Sequence, residues 1–97
     1  MAGYQLKITL EYTKPPVWRR VIVPDRITFG DLHDIIQVLF GWEDMHLHDF
    51  SFSEDMQLHI GPIEEDYYSN DLDEDSICID EYIKNYKWIR YTYDFGD

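Results

Sequence analysis

His46 and His48 are the residues of this sequence best placed to do chemistry. They stand two apart in HLHDFSF, a run that alternates with period two, so on a strand they share one face with Phe50 and Phe52 and sit about 7 Å apart along the backbone. Two imidazoles so placed can ligate a divalent transition metal when a third ligand comes from elsewhere, and His33, Asp94 and Asp97 are the candidates. The plainer reading is structural: histidines that end an apolar strand face and bond the backbone through their ring nitrogens. We take the structural role as the expectation, and a metal-dependent hydrolase, or a remnant of one, using His46 and His48 as the alternative.

The other motifs carry less. Asp71-x-Asp73-x-Asp75 begins like a calcium loop, but Ser76 stands where the sharp turn needs glycine and Tyr82 where a bidentate Glu is needed. Asp94-Phe95-Gly96 spells the magnesium-binding tripeptide of protein kinases, yet no glycine-rich phosphate loop or catalytic-loop motif accompanies it. Cys78 is the only cysteine and has no Lys, Arg or His beside it in sequence to activate the thiol. No catalytic set assembles from these residues, and no cofactor is called for beyond the divalent transition metal of the alternative reading.

The elements that must position the histidines are legible around them. Thr28 is an N-cap residue and Asp31 its reciprocal partner three residues on. Phe29, Leu32, Ile35, Ile36, Leu39 and Phe40 recur at helical spacing, and Gly41 suits a left-handed cap, so the pattern predicts a helix over 28–40. Asp31, Asp34 and Gln37 fall on its other side, and His33 is expected on that wetter side with Gln37. Upstream, Tyr4 to Tyr12 alternates as a strand that Pro15 and Pro16 end, and Val17 to Val23 returns with apolar residues on both faces, which predicts a central strand. Downstream, a turn at 53–55 leads into Met56 to Ile60, giving a hairpin. Gly61 to Ser76 holds seven acidic residues and no basic one, so it reads as a solvated loop. A short helix over 77–86 and a last strand over 87–95 complete β-β-α-β-β-α-β. This order predicts an α+β domain, a mainly antiparallel sheet with the 28–40 helix on one face.

Bulk properties narrow the function classes. With 97 residues, 44% hydrophobic and 16% aromatic, the chain has the material for one small folded domain. The net charge of -12 and a pI near 4.4 argue against binding nucleic-acid phosphates or an anionic membrane. Nearly all the excess lies in residues 49–97, which carry fourteen acidic and three basic side chains. A lone cysteine and the absence of a long apolar run predict a cytoplasmic protein.

Taken together, YQLKITLEYTKPPVWRRVIVP, TFGDLHDIIQVLFGWEDMHLHDFSF and YTYDFGD resemble the plasmid pRiA4b ORF-3-like family, also described as the insertion-element passenger TnpR family. The acidic middle matches nothing closely. The resemblance implies an α+β intracellular protein found beside mobile elements in bacteria and archaea. It implies no activity, and the resolvase sense of TnpR finds neither a recombinase serine nor a basic surface here. In the family YDFGD is followed by a tryptophan, a histidine and further elements, so residues 1–97 read as a shortened or partial form of the domain, with an open strand edge near 87–95. The leading expectation is a non-catalytic interaction module that acts through an exposed apolar or aromatic surface and the acidic loop, with Trp42, Trp88, Tyr91 and Tyr93 as interaction residues and a protein partner or a second copy met through that edge. A third reading, from charge alone, is an acidic mimic of nucleic acid that occupies a basic partner.

Overall fold

The computed structural model describes residues 3–10, 14–43, 48–62 and 72–93, leaving aside the Met56 side chain. The alternating first segments form strand β1 (Gly3–Leu10) and strand β2 (Val17–Pro24), paired antiparallel from Gly3 opposite Pro24 to Leu10 opposite Val17. Tyr4, Leu6 and Ile8 pack against the core while Gln5, Lys7 and Thr9 face out, as the period of two requires. β2 is not central. Among the described residues it pairs with β1 alone in a two-stranded sheet, and its Trp18 and Ile22 are 47% and 77% exposed. The reason is that this small sheet has only one face to lay on the core. Lys7 and Arg20 cover the outward Trp18 ring, at 5.0 and 5.7 Å.

Helix α1 (Phe29–Phe40) starts and stops where its caps dictate. The Asp31 N–H donates to Thr28 Oγ1 at 3.1 Å, and the Thr28 N–H donates to Asp31 Oδ2 at 3.1 Å, so the box closes in both directions. Gly41 ends it with φ of 71°, a left-handed conformation that glycine takes without steric cost.

Among the described residues four strands form the larger sheet, in the order β5-β4-β3-β6: β3 (His48–Phe52), β4 (Asp55–Gly61), β5 (Leu72–Asp73) and β6 (Ile89–Tyr93). β3 pairs antiparallel with β4 and with β6, and β5 joins parallel to β4. A short helix α2 (Asp80–Asn85) precedes β6. The fold is α+β with mainly antiparallel sheets, as the element order predicts. Its core joins Phe29, Leu32 and Ile36 of α1 to Phe50 and Phe52 of β3, Ile60, Ile79 and Val23. Phe29 is the hub, its ring 5.0 Å from Phe50, 5.9 Å from Phe52 and 5.4 Å from Tyr82. Deleting such a side chain would cost about 3–5 kcal/mol.

The acidic segment departs from the loop expected over 61–76; its residues 63–71 lie outside those described. Leu72 and Asp73 form β5, Glu74 is buried, and the chain from Glu74 to Ile79 is stapled to the start of α1. The Phe29 N–H donates to the Ile77 carbonyl at 3.0 Å, Gly30 to Glu74 at 3.1 Å, and Ile79 to Ile27 at 2.9 Å. The first two of these bonds fill backbone groups that a helix start leaves open. Gly30 permits the close approach, since a Cβ there would run into the Asp75 carboxylate and lie 3.6 Å from Glu74 Oε2. No helix among the described residues is long and apolar enough to cross a membrane.

Candidate functional site

The caps of α1 and the alternation of β3 set one histidine from each element side by side. His33 and His48 are 3% and 8% exposed, and their rings stack with centroids 3.5 Å apart and planes 8° from parallel. Each ring is tied outward at one nitrogen. His48 Nε2 lies 2.6 Å from Glu74 Oε1, and His33 Nδ1 lies 2.6 Å from the Tyr91 hydroxyl. The Gln37 amide Nε2 donates to the same hydroxyl at 2.9 Å. The result is a buried polar layer, Glu74–His48, His33–Tyr91–Gln37, between the helix and the sheet. Among its side chains His48 Nδ1 is buried and has no hydrogen-bond partner.

Two expectations change here. His33 and Gln37 are not on a wet side: Gln37 is only 5% exposed and both point toward β6. They are one turn apart on the helix and so move together, and the Tyr91 hydroxyl gives both a partner that repays their burial. His48 bonds a carboxylate rather than the backbone, a stronger charge-assisted contact if the ring is protonated.

His46, Asp94 and Asp97 lie outside the described residues. Among the described ones no group of three or more His, Cys, Asp or Glu gathers closely enough to hold a metal ion. His33 and His48 cannot serve one ion together as they stand. A metal sits in the plane of each imidazole that binds it, about 2.0–2.1 Å from the nitrogen for zinc. Planes 3.5 Å apart and 8° from parallel share no point within that distance.

Glu74 is the site residue that sequence reasoning missed, because nothing local distinguishes it from its acidic neighbours. A second imidazole–carboxylate pair also went unread. His59 Nδ1 of β4 lies 2.7 Å from Asp49 Oδ2 of β3, on a more exposed part of the sheet. The adjacency of a Ser51↔His59 register pair is set by the hairpin and its irregularity at Ser51/Phe52, which turn signals alone do not determine.

Cys78 is exposed, with Sγ 3.7 Å from the Arg26 carbonyl. The Asp73 carboxylate accepts from the Asp75 N–H and the Ser76 hydroxyl, at 3.0 and 2.9 Å, which closes a turn.

A groove of about 610 Å³ opens on the other side of Tyr91. Its walls are Gln5–Leu10 of β1 and residues 87–93, which include β6, and its floor includes Leu32, Ile36, Phe40 and Phe50. Trp42, Trp88, Tyr91 and Tyr93, the expected contact residues, all line it. Trp42 stacks between Phe40 and Tyr93, at 5.1 Å from each, which places a rigid aromatic row at one end. Trp88 is 46% exposed and lies beneath the Arg90 guanidinium at 5.1 Å.

An α+β domain with one capped helix laid on an antiparallel sheet, a buried histidine stack and an aromatic groove thus defines the class. A sequence model of the plasmid pRiA4b ORF-3-like proteins matches residues 2–97, and the chain belongs to this family. It is 32% identical to the uncharacterised protein y4hQ of Sinorhizobium fredii (strain NBRC 101917 / NGR234), over 96% of this chain and 47% of that protein. The crystal structure of MM3350, a protein of unknown function from Methanosarcina mazei Go1, superposes with a TM-score of 0.84 at 34% identity, over 97% of this chain and 53% of that one. The chain therefore spans about half the length of these relatives.

Proposed function

We propose that this chain is a non-catalytic protein-interaction module whose contact surface is the groove between β1 and β6. One observation carries the reading: the four aromatic residues Trp42, Trp88, Tyr91 and Tyr93 line a single concave surface with strand-bearing walls on both sides. Aromatic side chains supply large, stiff contact area at small entropic cost, and apolar concavities are where binding energy concentrates. The histidine layer supports this surface from behind. Tyr91 offers its ring to the groove while its hydroxyl is held by His33 and Gln37, so the layer fixes the groove wall.

The test is site-specific photo-crosslinking in cells with a photoreactive phenylalanine at position 88 or at position 38. Val38 is 82% exposed on the helix and does not line the groove, so it serves as the control. Discrete protein adducts from position 88 and none from position 38 are expected. Equal or absent adducts at both positions would refute the reading.

A further inference from the structure

We infer that the outward face of the β1–β2 hairpin docks a second copy of this chain, with Arg20 of one copy meeting Asp75 of the next. Cross-strand partners share a face, so the register sets Lys7 beside Arg20, Thr9 beside Trp18 and Gln5 beside Ile22, all turned away from the core. Like charges directly opposite one another weaken a sheet, and among the described residues neither Lys7 nor Arg20 makes an ion pair. Both instead crowd one indole, at 5.0 and 5.7 Å from the Trp18 ring. The face thus holds two cations and two exposed apolar side chains, Trp18 and Ile22, and no carboxylate. Residues 1–27 carry five basic and two acidic side chains, whereas residues 28–97 carry three basic and eighteen acidic ones. The hairpin is therefore the positive pole of an acidic chain. Trp18, Arg20 and Ile22 do not line the groove, so this is a second surface.

The chemistry of the occupant follows from those side chains. Two cations are too few to hold a phosphate backbone, whose affinity grows with each phosphate neutralised. With Trp18 and Ile22 beside them, they suit a protein surface that offers a carboxylate next to an apolar group. This chain presents such a surface, because Asp75 and Leu72, three residues apart, are both exposed. Partial loss of water first, then the charges of Glu74, Asp73, Asp34 and Asp31, raise the Asp75 carboxyl, so like charges crowd it. A cation brought there relieves a repulsion that the single chain leaves in place. Both surfaces are preformed, so little ordering is lost on contact. The hairpin pairs without interruption from Gly3 to Leu10, and the Gly30 N–H holds the Glu74 carbonyl at 3.1 Å. Arg20 and Asp75 make no ion pair within one chain, so their pairing is between copies. The two faces differ, so the contact is head to tail and leaves each copy able to bind a further one. Net repulsion between copies is screened beyond about 8 Å at physiological salt, and the local pairs act inside that distance.

Sedimentation velocity of the 97-residue protein across a range of concentrations tests this, with the R20E, D75K and R20E/D75K variants alongside. Both side chains are exposed, so the variants are expected to fold, which circular dichroism checks. The unaltered protein should grow in mass with concentration at about 150 mM salt and be monomeric near 1 M, where charges are screened beyond about 3 Å. Each single variant sets like charges together and should weaken association at least about tenfold. The double variant keeps the net charge of -12 and reverses the pair. It should restore association to within about threefold of the unaltered protein. An unaltered protein that is monomeric at every concentration would overturn the docking. Association that the double variant restores no better than the single ones would overturn the Arg20–Asp75 pairing. An unaltered protein that stays monomeric but binds a glutamate-rich peptide or a single-stranded oligonucleotide, and loses that binding in R20E, would give the face to another anion and overturn the second copy.

Discussion

The imidazoles of His33 and His48 meet face to face, 3.5 Å between centroids, so a helix residue and a strand residue share one buried polar layer. Its two ends are held by different parts of the chain, Glu74 beside β5 and Tyr91 on β6. Such a layer is stable only while its buried polar groups keep their partners.

Removing the carboxylate end should therefore be costly. In Glu74→Ala both nitrogens of His48 lose or lack a partner, since Nδ1 already has none. The expected loss is about 1–3 kcal/mol, the penalty of an unsatisfied buried group. Glu74→Gln keeps a hydrogen-bonding group of the same shape and should lose less than Glu74→Ala. Urea denaturation of both variants checks the order, and a Glu74→Ala midpoint equal to that of the unaltered protein would show that the contact holds nothing.

At the other end, Tyr91→Phe takes one hydroxyl from two buried side chains, His33 and Gln37. A loss of about 1–2 kcal/mol is expected. Because the phenyl ring remains in the groove wall, crosslinking from position 88 should survive in this variant. Loss of stability without loss of crosslinking would separate support from contact.

A third prediction concerns acid stability. The Tyr4 hydroxyl donates to Asp80 Oδ2 at 2.7 Å, and the Arg26 N–H donates to Oδ1 at 3.0 Å. The hydrogen bond from Tyr4 is the main cause that holds the Asp80 carboxyl below its ordinary value, with the Arg26 N–H and the Lys84 charge assisting against burial. A carboxylate with a lowered folded pKa contributes stability above its unfolded value, and that contribution is lost as pH falls through the folded one. The same bond and the Asp80 charge raise the Tyr4 hydroxyl, which contributes below the ordinary tyrosine value and is lost as pH rises through the raised one. Tyr4→Phe should move the acid-unfolding midpoint upward and remove that alkaline contribution. Circular dichroism across pH reads both limbs, and an unmoved acid midpoint would contradict the assignment.

Asp75 gives the opposite sign. Partial loss of water around this otherwise exposed side chain first, then the charges of Glu74, Asp73, Asp34 and Asp31, raise its carboxyl above the ordinary value. Its charged form is thus disfavoured in the folded protein, and the resulting stability falls as pH rises through the raised value. Asp75→Asn should raise the Tm at neutral pH and lose that advantage in acid, below the ordinary carboxylate range. Differential scanning calorimetry at the two pH values decides it, and an equal or lower Tm for the variant at neutral pH would reject the account.

What was legible in the sequence is what local geometry writes into it. Thr28, Asp31 and Gly41 determined the bounds of α1 because a helix end must satisfy its own backbone within a few residues. Phe50 and Phe52 took the inward face of β3 because the strand period admits no other choice once one of them is buried. What tertiary structure alone decided is which polar residues are buried. His33 and Gln37 looked solvent-facing because their partner, the Tyr91 hydroxyl, lies 58 and 54 positions away. Glu74 looked like one more carboxylate of a wet loop, yet His48, 26 positions upstream, gave it a buried partner. Trp18 and Ile22 looked like a second buried face, and the two-stranded sheet left them outside. Periodicity reports how a segment is shaped. Burial of a polar group requires a matching group from elsewhere, and only the assembled fold brings the two together.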